Sequence, residues 1–366
     1  LRSRSLSVAW GYMGAVIGAG FASGQELVQF FVGYGWGGLW GTVLAGVLFA
    51  VFGGLLLFWV NANRLNDYYD VLKSLFGNRL VYIMDALLAI FLFLGVCTMF
   101  SASGAVFYEQ INHSKITGIG VAYIGVLMFL MTGRQGLVKA YNFLVPIKFL
   151  LLLIVAGYAA MVGSKVALAG NVIPAHMLNP PAADWVLASI LYVAYNFALA
   201  MVVLSEYRAV TSRQEGISGA VIGGLMLGLV ALVCYLAMLP SMPALIHYQI
   251  PMLFVAGAVS SQAKMVYTLV LWLGILTTAI ANAFGFAQRF SSVTGLGYGV
   301  CLFLTVTMAL PLATQSFSVL VATIYPLLGL FGLVIMIALT YSLIKFGMGG
   351  IMFRTRWSLG KFFKGG

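Results

Sequence analysis

Ten long apolar runs, with almost no charge inside them, dominate this 366-residue chain and leave few folds open to it. They lie near 7–33, 38–60, 81–109, 115–132, 138–161, 184–207, 215–239, 264–289, 296–313 and 316–345. A helix needs about 20 apolar residues to cross a hydrocarbon core roughly 30 Å thick. The runs are continuous, whereas strands of a membrane barrel alternate over segments of about 10 residues. Only 7% of the residues are charged, against about 25% in soluble domains. The expected fold class is therefore an all-α integral membrane protein of about ten transmembrane helices. A soluble enzyme, a disordered chain and a nucleic-acid binder are excluded, despite a net charge of +11.

Topology explains that charge. With the N-terminus in the cytoplasm, 15 of the 19 Lys and Arg residues fall in cytoplasmic segments, as the positive-inside rule requires. Lys115, Lys165 and Lys264 lie outside, and Lys148 alone falls well within a span. Both termini are expected in the cytoplasm, with the lipid bilayer as the main partner and oligomeric state left open. Cys97, Cys234 and Cys301 sit in apolar runs and read as small hydrophobes. His113, His176 and His247 are scattered over outer loops without metal-ligand spacing. The first apolar run leads straight into the fold, so no cleavable signal peptide is expected.

A single domain over 1–366 is expected. The stretch with Asn179-Pro180-Pro181 separates five spans from five. Because five is odd, the second set enters from the opposite side, the inverted repeat of many secondary transporters. The halves run roughly 7–161 and 184–345, so spans 7–33 and 184–207 correspond. Residues 61–79 read as a polar cytoplasmic connector. The run Pro251 to Ser261 is too short to cross and predicts a short helix over the outer mouth.

The first span holds Gly11, Gly14, Gly18, Gly20 and Gly24 within 14 residues. Each glycine inside a helix costs about 1 kcal/mol against alanine. Close helix packing is one reason for such a cluster; a helix broken near the bilayer centre is the other, and Ser23, Gln25 and Glu26 directly after it favour the break. In the sixth span, Tyr192, Tyr195 and mid-span Asn196 predict a second, polar break lining a substrate. The eighth span carries Gly274, Thr277 and Thr278 and then Asn282. At 1.5 Å per residue, Gly14, Asn196, Thr277 and Lys148 all fall roughly 10–15 Å from the inner face of the membrane. A lysine at that depth marks a functional site by default. If it exchanges its proton it suits proton coupling; if it stays charged it stands in for a bound cation. Pro146 frees a backbone carbonyl nearby. Glu26 and Glu109 lie near the outer ends of spans one and three. Asp85 and Glu206 lie near inner ends, beside the basic N-terminal tail, where an inner gate with Arg2 or Arg4 and ordinary surface pairing are equally open readings.

The segment Gly14-Ala-Val-Ile-Gly18-Ala-Gly20-Phe-Ala-Ser-Gly24-Gln-Glu26 closely resembles the first span of the YkvI-type family of bacterial membrane proteins. Leu191-Tyr-Val-Ala-Tyr195-Asn196 and the ten-span layout extend the resemblance. That family resembles the amino acid–polyamine–organocation superfamily, which has the LeuT fold. The resemblance implies a 5+5 inverted repeat with helices 1 and 6 broken, in a bacterial plasma membrane. It implies a substrate site on Gly18, Ala19, Gly20 and Phe21 of span one and Tyr192, Tyr195 and Asn196 of span six, with Thr98 or Ser101 from span three. A sodium ion would be held by carbonyls of Gly14, Ile17 and Gly274 and the hydroxyls of Thr277 and Thr278; no other cofactor is implied. Lys148 departs from that pattern and resembles the fifth-span lysine of proton-coupled members. The expected function is a secondary active transporter of a small amino acid or related amine, by alternating access, coupled to H+ or Na+. The alternative is a ligand-binding permease subunit similar to those of spore germinant receptors, without net transport. A channel suits an occluded site poorly. No cluster of carboxylates, His or a nucleophile at one depth points to an enzyme.

Overall fold

The computed structural model describes residues 2–163, 182–242, 244–248, 250–315 and 328–346. Among them there is no strand. The helices are α1 (Arg2–Val16), α2 (Ala19–Ser23), α3 (Gln25–Phe30), α4 (Trp36–Ala62), α5 (Tyr68–Gln110) and α6 (Lys115–Leu130). There follow α7 (Arg134–Gly163), α8 (Trp185–Glu206), α9 (Arg213–Met238), α10 (Pro251–Val259), α11 (Ser261–Thr294), α12 (Tyr298–Ala313) and α13 (Leu328–Phe346). Seven of these, α4, α5, α7, α8, α9, α11 and α13, are long and apolar enough to cross a membrane. The shorter apolar helices α6 and α12 and the fragmented α1–α3 occupy the places of the other three runs. The join with Asn179-Pro180-Pro181, Lys165, His176, the side chain of His247 and the start of the tenth run lie outside the described residues.

Polar residues at the edges of the apolar runs set where helices begin. Asp67, Asp184 and Ser260 cap the first turns of α5, α8 and α11 through their side chains. Ser212 and Glu215 form a reciprocal capping box on α9. Small residues then set how closely helices approach. Gly46 and Ala50 of α4 meet Gly228 and Gly224 of α9, and a Cβ on Gly46 would lie 2.8 Å from the Gly228 Cα. Stripes of this kind let membrane helices pack backbone to backbone.

The helices α1, α4, α8 and α9 pack on one another, while α5, α6, α11 and α12 form a second group. Helix α7 bridges them through α1, α9 and α11. Helix α11 is central: 83% of its most apolar window is buried, against 33% for α13. The short helix α10 lies on α11 and also touches α2, α7 and α9. Side chains such as Ile90, Ile124, Met128 and Leu229 are exposed and provide the lipid-facing surface.

Within the connector 61–79, α5 begins at Tyr68 and is kinked at Gly77 (φ 73°). One expectation is corrected: the second break is absent, because α8 is continuous through Asn196. It contains neither Gly nor Pro, and the Asn196 amide donates to the Tyr192 carbonyl one turn back (3.0 Å). The polar side chain is satisfied on its own helix, so nothing forces the backbone open.

Candidate functional site

The first span breaks twice. Helix α1 ends at Val16, and Gly18 is extended (φ −95°, ψ −162°) before α2 begins. The Gly18 amide donates to Val16 O (2.8 Å) rather than to Gly14 O, so the Gly14 carbonyl loses its usual helical partner. The second break is Gly24, at φ 83°, a left-handed conformation that glycine alone adopts without strain. It separates α2 from α3. Gly14 itself stays helical, packed against Tyr141 and Val145 of α7.

Lys148 of α7 is fully buried and reaches the first break. Its Nζ donates to Ile17 O (2.7 Å) and to Thr277 Oγ1 of α11 (2.6 Å). Thr277 in turn donates to Gly274 O (3.0 Å), and Tyr141 donates to Thr277 O (3.2 Å). One ammonium therefore links α7, the break and α11. Two of the five groups expected to hold sodium already serve Lys148, and Gly274 O serves Thr277. This donor set does not fit a sodium ion while the ammonium stands in it.

Thr278 is adjacent in sequence but turned about 100° around the helix, and it faces elsewhere. Its hydroxyl is buried without a hydrogen-bond partner and lines a cavity beside Gly18. Gly18, Ala19, Gly20, Thr98, Tyr195 and Asn196 also line this cavity, as do Asn282 and Glu26. Apolar walls come from Phe91, Met99 and Leu199. The cavity measures about 20 Å³, room for a water molecule and too little for an amino acid.

Glycine at 18 is a matter of space: a Cβ there would lie 2.7 Å from Thr278 Oγ1. Overpacking of this kind costs about 1–3 kcal/mol. Gly18→Ala is expected to lower thermal stability in detergent by about that amount, and adding Thr278→Ala should recover most of it. Unequal but additive losses in the double mutant would show that the two positions do not compete for space.

Three predicted residues do not line the cavity. Tyr192 packs into the rings of Phe30, Phe31 and Phe49, 4.9–5.9 Å between centroids. Ser101 donates to Gln315 O (2.6 Å), tying α5 to the residues after α12. Phe21 is buried on another side of α2. Glu26, expected near the outer end of span one, instead folds back into the cavity and accepts from Tyr195 Oη at Oε1 (2.9 Å). Asn282, one turn beyond Thr278, presses against Gly95 of α5.

At the end of the bundle that collects the predicted cytoplasmic connectors, Arg134 pairs with Glu206, and Arg289 with Asp85 (2.6 Å). Arg289 also lies 3.9 Å over the Tyr69 ring, and Arg208 donates to Leu65 O and Asn66 Oδ1. The partners of Asp85 and Glu206 are therefore arginines of α11 and α7, not Arg4; the side chain of Arg2 lies outside the described residues.

No protein-family model matches the chain. The membrane protein YkvI of Bacillus subtilis (strain 168) is 30% identical over 326 residues, covering 88% of this chain and 91% of YkvI. YyaD of the same strain is 25% identical over 335 residues, 89% and 93% of the two chains. Among solved structures, MhsT in complex with L-phenylalanine superposes with a TM-score of 0.66 at 14% identity, covering 90% of this chain and 87% of MhsT. Mhp1, a nucleobase-cation-symport-1 family transporter with bromovinylhydantoin bound, gives 0.59 at 19% identity, covering 90% and 76%. A manganese transporter of Eremococcus coleocola gives 0.57 at 14% identity, covering 93% and 76%. At such identities the likeness is one of fold, and that fold is LeuT-type. With a relative this similar across nearly its whole length, the chain belongs to the YkvI family of LeuT-fold membrane proteins.

Proposed function

We propose that this protein is a secondary active transporter that moves a small amino acid or a related amine by alternating access, coupled to protons. One observation carries the reading: a polar cavity at the break of the first span, with the Lys148 ammonium held beside it by Ile17 O and Thr277 Oγ1. A buried ammonium joining α7, the break of the first span and α11 is a group whose protonation would change how these parts are held. Released from its proton, it no longer offers the full set of charged hydrogen bonds to the break, and α1 is freer to move against α7 and α11. The similar structures of MhsT with L-phenylalanine, Mhp1 with bromovinylhydantoin and a manganese transporter support cargo binding in this fold. Gly18, Ala19, Gly20, Thr98, Tyr195, Asn196 and Thr278 would contact the cargo once the cavity opens. The chain is read as one domain of two inverted repeats in a bacterial plasma membrane, with both termini in the cytoplasm.

Uptake into proteoliposomes over a panel of amino acids and amines tests this, with sodium and proton gradients imposed separately. Accumulation is expected with the proton gradient and not with the sodium gradient. If neither gradient drives accumulation while ligand binding is intact, the receptor-like permease reading replaces it.

A further inference from the structure

Glu26 is a buried acid inside the cavity without a counter-charge among the described residues. It is 5% exposed. Oε1 accepts from Tyr195 Oη, and Oε2 is buried with no hydrogen-bond partner. The ion pairs among the described residues are Arg134–Glu206 and Arg289–Asp85, and Glu26 is in neither. Lys148 is committed to Ile17 and Thr277. A buried carboxylate in this position is costly unless something positive or protonated meets it.

The backbone is shaped to put the carboxylate there. The left-handed Gly24 turns the first residues of α3 back toward α2. A Cβ on Gly20 would stand where the Glu26 carboxylate stands. The remaining polar walls among the described residues, Thr98, Asn196, Thr278 and Asn282, are neutral, so among them Glu26, when ionised, is the one charged group of the lining. A cargo carboxylate pointed at Gly20 would be repelled by it, and an ammonium would be attracted.

We propose that Glu26 binds the positively charged nitrogen of the cargo: Oε2 accepts from the ammonium while Tyr195 holds Oε1. This rests on reading the cavity as the cargo site and narrows the cargo class. A primary ammonium is required, and a carboxylate at the other end is not. Small aliphatic amines and the amino acids that share their ammonium fit; simple carboxylic acids do not.

Binding to the purified full-length chain in lipid nanodiscs tests this with two matched sets of probes. One set is alanine, ethylamine and propionate; the other is leucine, isoamylamine and 4-methylpentanoate. In at least one set, the amine and the amino acid are expected to bind and the acid not to. Glu26→Gln should weaken amine binding on the order of tenfold to a hundredfold, the effect of losing a charged hydrogen bond, with Tyr195→Phe weaker in effect. The proposal is overturned if the acids bind as well as the amines, if no amine binds, or if Glu26→Gln leaves amine affinity unchanged. Should Glu26→Gln fail to fold, the contrast between amine and acid in the unaltered protein decides by itself. Binding alone is read here, so a chain that binds amines but never accumulates them would overturn the transporter reading and leave this one standing.

Discussion

Lys148→Met is expected to reduce proton-driven uptake to the level of empty liposomes. Methionine keeps much of the side-chain volume, so the fully buried site between α1, α7 and α11 stays filled. What is lost is the ammonium, with its bonds to Ile17 O and Thr277 Oγ1, and with it any proton the site could exchange. Lys148→Ala should give the same loss of pH-driven uptake with lower stability, because it also leaves a cavity. Lys148→Arg separates two roles: a guanidinium keeps the charge but does not release its proton in a protein. If the site needs only a fixed cation, the Arg protein retains activity; if it needs proton exchange, it does not. Sodium-dependent uptake that survives Lys148→Ala and is lost in Thr278→Ala would sink proton coupling and restore the sodium reading.

Much of this site was legible because membrane helices are rods of known rise. Depth along a span follows from counting residues, so Lys148, Thr277 and the glycine-rich break could be placed at one level although 129 and 131 residues separate the lysine from its two partners. The break itself showed as glycine density. Rotation about a helix axis does not follow from counting, and it accounts for the main misplacements. Tyr192 and Tyr195 are three residues apart, yet one enters an aromatic cluster and the other the cavity. Thr98 lines the cavity and Ser101 turns to Gln315. Asn196 signalled polarity correctly but not a broken backbone, because an amide bonded to its own helix satisfies itself. Glu26 was hidden for another reason. A continuous helix would carry residue 26 beyond the break toward the outer end, and only the left-handed Gly24 brings its carboxylate back to Gly20.

Arg134→Ala is expected to cost far more stability than Glu206→Gln, although both remove the same ion pair. The Glu206 side chain is fully buried, and that of Arg134 is 35% exposed. Removing the arginine strands a buried carboxylate, which costs about 3–5 kcal/mol. Removing the negative charge leaves an arginine that water already reaches, so the loss should stay near 1 kcal/mol, the net worth of an ordinary hydrogen bond. The double mutant should regain most of what Arg134→Ala loses, read as the midpoint of thermal unfolding in detergent. Equal costs for the two single mutants would show that the pair is a surface contact. The asymmetry bears on function because the pair joins the helices that carry the site. Arg134 begins α7, roughly 21 Å along that helix from Lys148, and Glu206 ends α8, roughly 15 Å from Asn196. Any inward opening that separates α7 from α8 at this end must expose Glu206 to water, which solvates the carboxylate that Arg134 otherwise neutralises. Glu206→Gln, by weakening the pair without stranding a charge, is therefore expected to raise hydrogen exchange at the start of α7 and the end of α8 while leaving the fold intact.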